Sequence, residues 1–191
     1  MPLGQRFDAQ KAIEAILYIA ERVQDPSFHR IAKILYFADK RKLASYGALV
    51  LGDQYFAMKH GPVPSAVYDI LKSVRGDGHH PRTAAAASAF QVVDGCRVLP
   101  LRRANADYLS AADVECLNLT LEELGPLPFK ELAARSHDSA WDAVDENDLM
   151  SFESIARATS RPDIALAAVR GDDVFEIHGQ PGPKALRSAS W

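Results

Sequence analysis

The segment Tyr55-Phe-Ala-Met-Lys-His-Gly-Pro-Val-Pro-Ser65 lies between two stretches of helical periodicity and sets how they can be joined. Proline fixes its own φ and disfavours the α region in the residue before it. Pro62 and Pro64 therefore dictate a non-helical backbone for Gly61 and Val63 before any tertiary contact forms. The outcome is a stiff, shaped turn that presents Met58, Lys59 and His60 at low entropic cost. Such a turn suits recognition of a partner, because little freedom remains to be lost on binding. The same prolines equally suit an architectural task, the seating of the helix that begins at Pro64.

On the N-terminal side, Asp8 to about Gln24 reads as an amphipathic helix. Ile13, Ile16, Leu17, Ala20 and Val23 share a stripe, while Lys11, Glu14, Glu21 and Arg22 fall off it. Asp25-Pro26 offers an N-cap and a first-turn proline for a second helix, from about Ser27 to Ser45, with Phe28, Ile31, Ile34, Leu35 and Ala38 inward. Gly47 stands where a terminating glycine belongs. Residues 48–58 read as extended or irregular, with a turn at Gly52-Asp53.

On the C-terminal side, Val67, Ile70, Leu71 and Val74 keep helical spacing after Pro64. A turn-rich loop, Gly76 to Pro81, follows. The run Ala84 to Ala87 stays open between helix and the β signal after it. Phe90 to Leu99 predicts a hairpin about a two-residue Asp94-Gly95 turn. Ser110 and Asp113 resemble the start of a capped helix to about Leu124, although that motif prefers Glu or Gln at the second position. Pro128 opens a helix to about Ala134, and two more follow near Phe152–Ala158 and Pro162–Arg170.

The expected fold class is mainly α (α+β at most), a compact helical domain with one small β-hairpin around residues 89–100. Residues 1–170 form the domain, and 171–191 a flexible C-terminal tail, because Gly179-Gln-Pro-Gly-Pro183 blocks regular structure.

With 191 residues, 48% hydrophobic and 25% charged, the chain has the composition of a globular protein rather than a disordered one. A net charge of −3 excludes a global basic field for nucleic acid. The charge is uneven: residues 1–82 hold 12 Lys/Arg and 8 Asp/Glu (+4), and the remainder 10 and 17 (−7). The acidic excess peaks from Asp138 to Glu153, which reads either as a solvated loop or as a face for a basic partner.

Cys96 and Cys116 lack metal-ligand spacing and do not make a disulfide framework. No apolar run is long enough to cross a membrane and no leader pattern opens the chain, so a cytoplasmic protein is expected. Phosphate-binding loops, zinc-protease helices and nucleophile elbows are all missing from the sequence. No catalytic residue, metal or cofactor is therefore assigned. His60, His79, His80 and His137 leave a metal-dependent hydrolase as the weakest of three readings. Lys40-Arg41-Lys42, at the end of the second helix, either complements the helix dipole or touches nucleic acid. Three cations offer few phosphate contacts, which argues against nucleic acid as the main partner. Cys116 reads as a buried, inert thiol.

The order of motifs is specific. Lys33-Ile-Leu-Tyr-Phe-Ala-Asp39, Tyr46-Gly47, Gly52 to Ser65, Tyr68-Asp69 and Ser136-His-Asp-Ser-Ala-Trp-Asp142 together resemble the Panacea domain of SocA-like antitoxins, over roughly residues 10 to 160. The resemblance implies an antitoxin that neutralises a cognate protein toxin by direct binding. In the SocA-like branch it further implies a proteolytic adaptor that delivers the toxin to the ClpXP protease. The alternative is a DNA-binding regulator from a phage or mobile element, though no helix-turn-helix module is visible. Tyr55, Met58, Lys59, His60 and Pro62 are expected to line or support the contact surface. Trp141 is a second candidate, either a core plug or a rim anchor.

Overall fold

The computed structural model describes residues 6–172, so the expected tail from residue 173 onward lies outside the described residues. Eight helices occur among them: α1 Ala9–Ala20, α2 Phe28–Tyr46, α3 Ser65–Arg75, α4 Thr83–Ala89, α5 Ala111–Leu124, α6 Phe129–Ser136, α7 Phe152–Arg157 and α8 Pro162–Arg170. The strands are β1 Tyr55–Met58, β2 Gly61–Pro64, β3 Phe90–Val93, β4 Arg97–Pro100 and β5 Leu149–Met150. The fold is mainly α with small sheets, as the sequence indicates.

Helix α2 is the centre. It packs on α1, α3, α5, α6, α7, α8 and β2. Because neighbours surround it, its polar side chains are buried with its apolar ones: Arg30, Lys33, Asp39 and Lys42 all lie inside. A buried polar group without a partner costs a few kcal/mol, so each of these must be matched internally. Arg30 donates to the carbonyls of Gly125 and Leu127. Lys33 donates to Pro62 O, and Lys42 to Leu49 O and Asp113. Asp39 accepts from Val50 N and the Tyr55 hydroxyl. Four side chains of one helix thus hold segments spread over much of the sequence.

The helix ends follow local chemistry. The cap of α2 is Ser27, accepting from Arg30 N, rather than Asp25; Asp25 instead accepts from the Ser27 hydroxyl. Gly47 closes α2 with φ 61°. Ser110 and Asp113 form a complete capping box on α5, with Asp doing what Glu usually does. Helix α1 departs further from expectation. Glu14 is only 1% exposed, because residues 102–105 cover the face on which it lies; Arg102 pairs with it and Asn105 N donates to it. The residues left open, Ala84 to Ala87, are helical within α4.

Two sheet features depart from the sequence reading. The β3–β4 hairpin is present, but its register pairs Val93 with Arg97, so Cys96 joins Asp94 and Gly95 in a three-residue turn. The proline-rich segment is itself a strand. β2 pairs antiparallel with β1, which also pairs with β5, in the order β2-β1-β5. Proline cannot donate to a ladder, and β2 tolerates two prolines because it is an edge strand.

Helix α3 receives no side-chain cap from Pro64. Its first-turn amides are satisfied by Asp53, whose carboxylate accepts from Ala66 N at 3.0 Å and Val67 N at 2.9 Å, and also from Gln54 N. Asp53→Ala should therefore cost about 1–3 kcal/mol of stability, with Asp53→Asn retaining part of it, read from urea unfolding midpoints.

Candidate partner-binding site at the β1–β2 hairpin

The tip of the β1–β2 hairpin consists of Lys59 and His60, between the paired residues Met58 and Gly61. Both tip side chains are exposed. Gly61 takes φ +95°, and a Cβ there would lie 2.1 Å from Ser136 Oγ and 3.0 Å from Lys33 Cε. Only glycine fits, for conformational and steric reasons together.

Three elements clamp the tip. From α2, Lys33 Nζ donates to Pro62 O at 2.8 Å. From the loop after α6, Trp141 Nε1 donates to Met58 O at 3.0 Å, with its ring stacked on His137 at 3.9 Å. From the start of α6, the Phe129 ring packs 5.6 Å from His60 and 4.1 Å from His29 of α2. The loop that carries Trp141 is itself tied to α2. Asp138 accepts from the Tyr36 hydroxyl, pairs with Lys40, and accepts from the amides of Ala140 and Trp141.

Charge is unusual beneath the tip. Lys33 is wholly buried with a carbonyl as its hydrogen-bond partner, and desolvation pushes its pKa down to about 7. His29 is pushed down to about 3, first by burial and then by Lys33, His60, Arg30 and His137. His137 is lowered by burial and by Lys33. The Nε2 atoms of His29 and His137 are buried without a hydrogen-bond partner. At the base of the hairpin, burial pushes Asp39 up to about 6 against the hydrogen bonds it accepts from Tyr55 and Val50.

The structure sorts the residues singled out from sequence. Lys59 and His60 face solvent, and Met58 and Trp141 are half-buried at the rim. Tyr55 and Pro62 are buried, so they support the surface from below. His29, Lys33, Phe129 and His137 complete the site and were not singled out as contacts from sequence. Lys33 and His137 at least lie inside the quoted motifs; His29 and Phe129 carry no local signal, because only the packing of α6 on α2 joins them.

The basic cluster is spent internally: Lys40 pairs with Asp138, Arg41 with Glu123 and Lys42 with Asp113. The feature that suggested nucleic acid is thus neutralised. Cys116 is buried, with its thiol pushed up to about 11 by desolvation. Among the described residues no group of three or more His, Cys, Asp or Glu is placed to hold a metal ion. No helix there is long and apolar enough to cross a membrane.

A family model described as antitoxin SocA-like, Panacea domain, matches residues 31–142. The chain belongs to this family. The match opens in α2, takes in the whole hairpin and closes one residue beyond Trp141, so it spans nearly all of the clamp around the tip. No curated protein and no solved structure matches the chain. Membership supports an antitoxin role in general, with a toxin as partner and a regulatory rather than catalytic task.

The buried Lys33 makes stability depend on pH. The unfolded lysine keeps its ordinary pKa of 10.5, while the folded one lies near 7. Between those values the unfolded state holds a proton that the folded state has released, so raising the pH stabilises the fold. Lys33→Met removes this term. Wild-type stability minus that of Lys33→Met should climb from about pH 7 toward 10.5, measured by urea unfolding across that range.

Proposed function

We propose that the chain neutralises its cognate toxin by direct protein–protein contact through the β1–β2 tip. The observation that carries this reading is the clamp. Lys59 and His60 project from a turn fixed by Lys33, Trp141 and Gly61, and the half-exposed Phe129 and half-buried Met58 and Trp141 stand beside them. A rigid tip with aromatic and methionine neighbours loses little entropy on docking and offers anchor side chains. Nothing in this arrangement resembles a nucleophile with its base, and the buried Lys33 ammonium is inside the core rather than in an open cleft.

Delivery of the bound toxin to the ClpXP protease, as a proteolytic adaptor in the cytoplasm, is the more specific form of this proposal. It is supported by the family resemblance. The acidic loop residues Asp142, Asp145, Glu146 and Asp148 are exposed and make no ion pair among the described residues, which leaves them available for a second contact.

The test begins with the open reading frame beside this gene, co-expressed with the antitoxin in cells that its product arrests. Rescue of growth is the expected result. The double change Lys59→Ala and His60→Ala should weaken toxin binding about tenfold or more, roughly 1.4 kcal/mol, while the melting temperature stays unchanged. A loss of stability with unchanged affinity in the folded fraction would reject the tip as the contact. Repeating the rescue in cells without ClpXP separates the two forms: sequestration persists there, and delivery fails.

A further inference from the structure

We infer that the toxin meets this tip with an acidic side chain, seated on the face formed by His29, His60 and Phe129. The inference rests on the toxin-binding reading above and specifies its chemistry.

The first observation is where counter-charges are lacking. The cations in the second half of α2 are matched by carboxylates. In its first half, Arg30 and Lys33 are buried against main-chain carbonyls alone. Lys59 at the tip and Lys130 beside Phe129 are exposed, and neither makes an ion pair among the described residues. The nearby carboxylates are engaged elsewhere, Asp138 by Tyr36 and Lys40, and Glu131 by Arg135. Asp142, exposed and without an ion pair among the described residues, raises the pKa of His137 and so offsets part of this charge. Lys33 is only partly charged near neutral pH, so the fixed cations around the His60–Phe129 surface are Arg30, Lys59 and Lys130, and these attract an anion.

The second observation is an unmet hydrogen bond at the same place. His29 Nε2 is buried without a partner, and its ring lies between Phe129 at 4.1 Å and His60 at 6.4 Å. Buried polar atoms are nearly always matched, and three here are not, His29 Nε2, His137 Nε2 and Arg30 Nε; the first would be completed from outside once the exposed Phe129 ring shifts off it. Burial holds His29 neutral, leaving one ring N–H, and with that proton on Nε2 a carboxylate oxygen would accept it.

The third observation is the start of α6. Pro128 contributes no side-chain cap, so the first-turn amides of a helix that begins with Phe129 add positive potential to the same face. Phe129 is 46% exposed. Its ring edge, the positive end of the aromatic quadrupole, completes a seat for a carboxylate on an apolar stem.

Two probes test this without knowledge of the toxin: a pentapeptide with two glutamates flanking a phenylalanine, and the same peptide with glutamines. Binding is followed through the imidazole proton resonances of His29 and His60. The acidic peptide should bind at least about tenfold tighter at low salt, and the double change Lys59→Glu and Lys130→Glu, both at exposed positions, should erase the difference. Equal binding of the two peptides, or no binding of the acidic one, overturns the inference. So does a random DNA duplex that moves the same resonances more strongly than the acidic peptide. If the peptides fail to discriminate while the intact protein still neutralises its toxin through Lys59 and His60, the acidic contact alone is refuted. If neutralisation itself is insensitive to the tip, the reading of the site falls first.

Discussion

Surrounding a helix on nearly every side forces its polar side chains to find partners inside the protein, and α2 is built on that constraint. Arg30, Lys33, Asp39 and Lys42 are buried along it, and each is hydrogen-bonded by backbone or side chains from another segment, with only Arg30 Nε left unpartnered among them. The alternative, an unmatched charge in the core, would cost several kcal/mol at each position. The loops they hold are thereby held in register with the core: the turn after α5, the β1–β2 hairpin, the link before β1 and the start of α5. Removal of any one of these loops would leave a buried charge behind.

The candidate site is a consequence of the same arrangement. Two routes run from α2 to the tip, one directly through Lys33 to Pro62 O, the other through Tyr36 and Lys40 to Asp138 and on to Trp141 and Met58 O. Both end on main-chain carbonyls of the hairpin, so they fix its path and leave the side chains of Lys59 and His60 outside. Asp39 holds the base of the hairpin through Tyr55. The tip is thus fixed where the core's need for hydrogen-bond partners is met by a surface loop. This also explains why Tyr55 and Pro62, which belong to the family motif, are buried: they serve the placement of the tip.

Much of the helical framework was legible because it is written locally. Apolar spacing marks α1, α2 and α3. Gly47 terminates α2 and Ser110 with Asp113 starts α5 through short-range geometry that depends only on neighbours in sequence. Pro162 to Arg170 matches α8 for the same reason. Apart from the α2 cap and the length of the β3–β4 turn, the misread places are those where distant chain decides. Glu14 looked solvent-facing until Arg102 and Asn105 covered it from 88 and 91 residues away. The strand character of β2 was hidden because its prolines argue against a strand unless the segment is an edge, and edge status is a property of the sheet.

The sequence by itself determined the helical class, the stiff backbone of residues 61–64 and the family motif, since periodicity, proline geometry and residue order need no tertiary information. Only the tertiary structure decided what those residues do. It spent Lys40, Arg41 and Lys42 on internal ion pairs, buried Tyr55 and Pro62, and brought His29 and Phe129 against His60. The physical reason is that charge compensation and burial depend on which groups are near in space. Ion pairs such as Arg41 with Glu123, 82 residues apart, have no local signature. The opening stretch therefore turns out to be an edge strand and a clamped tip, whose shape is local and whose setting is not.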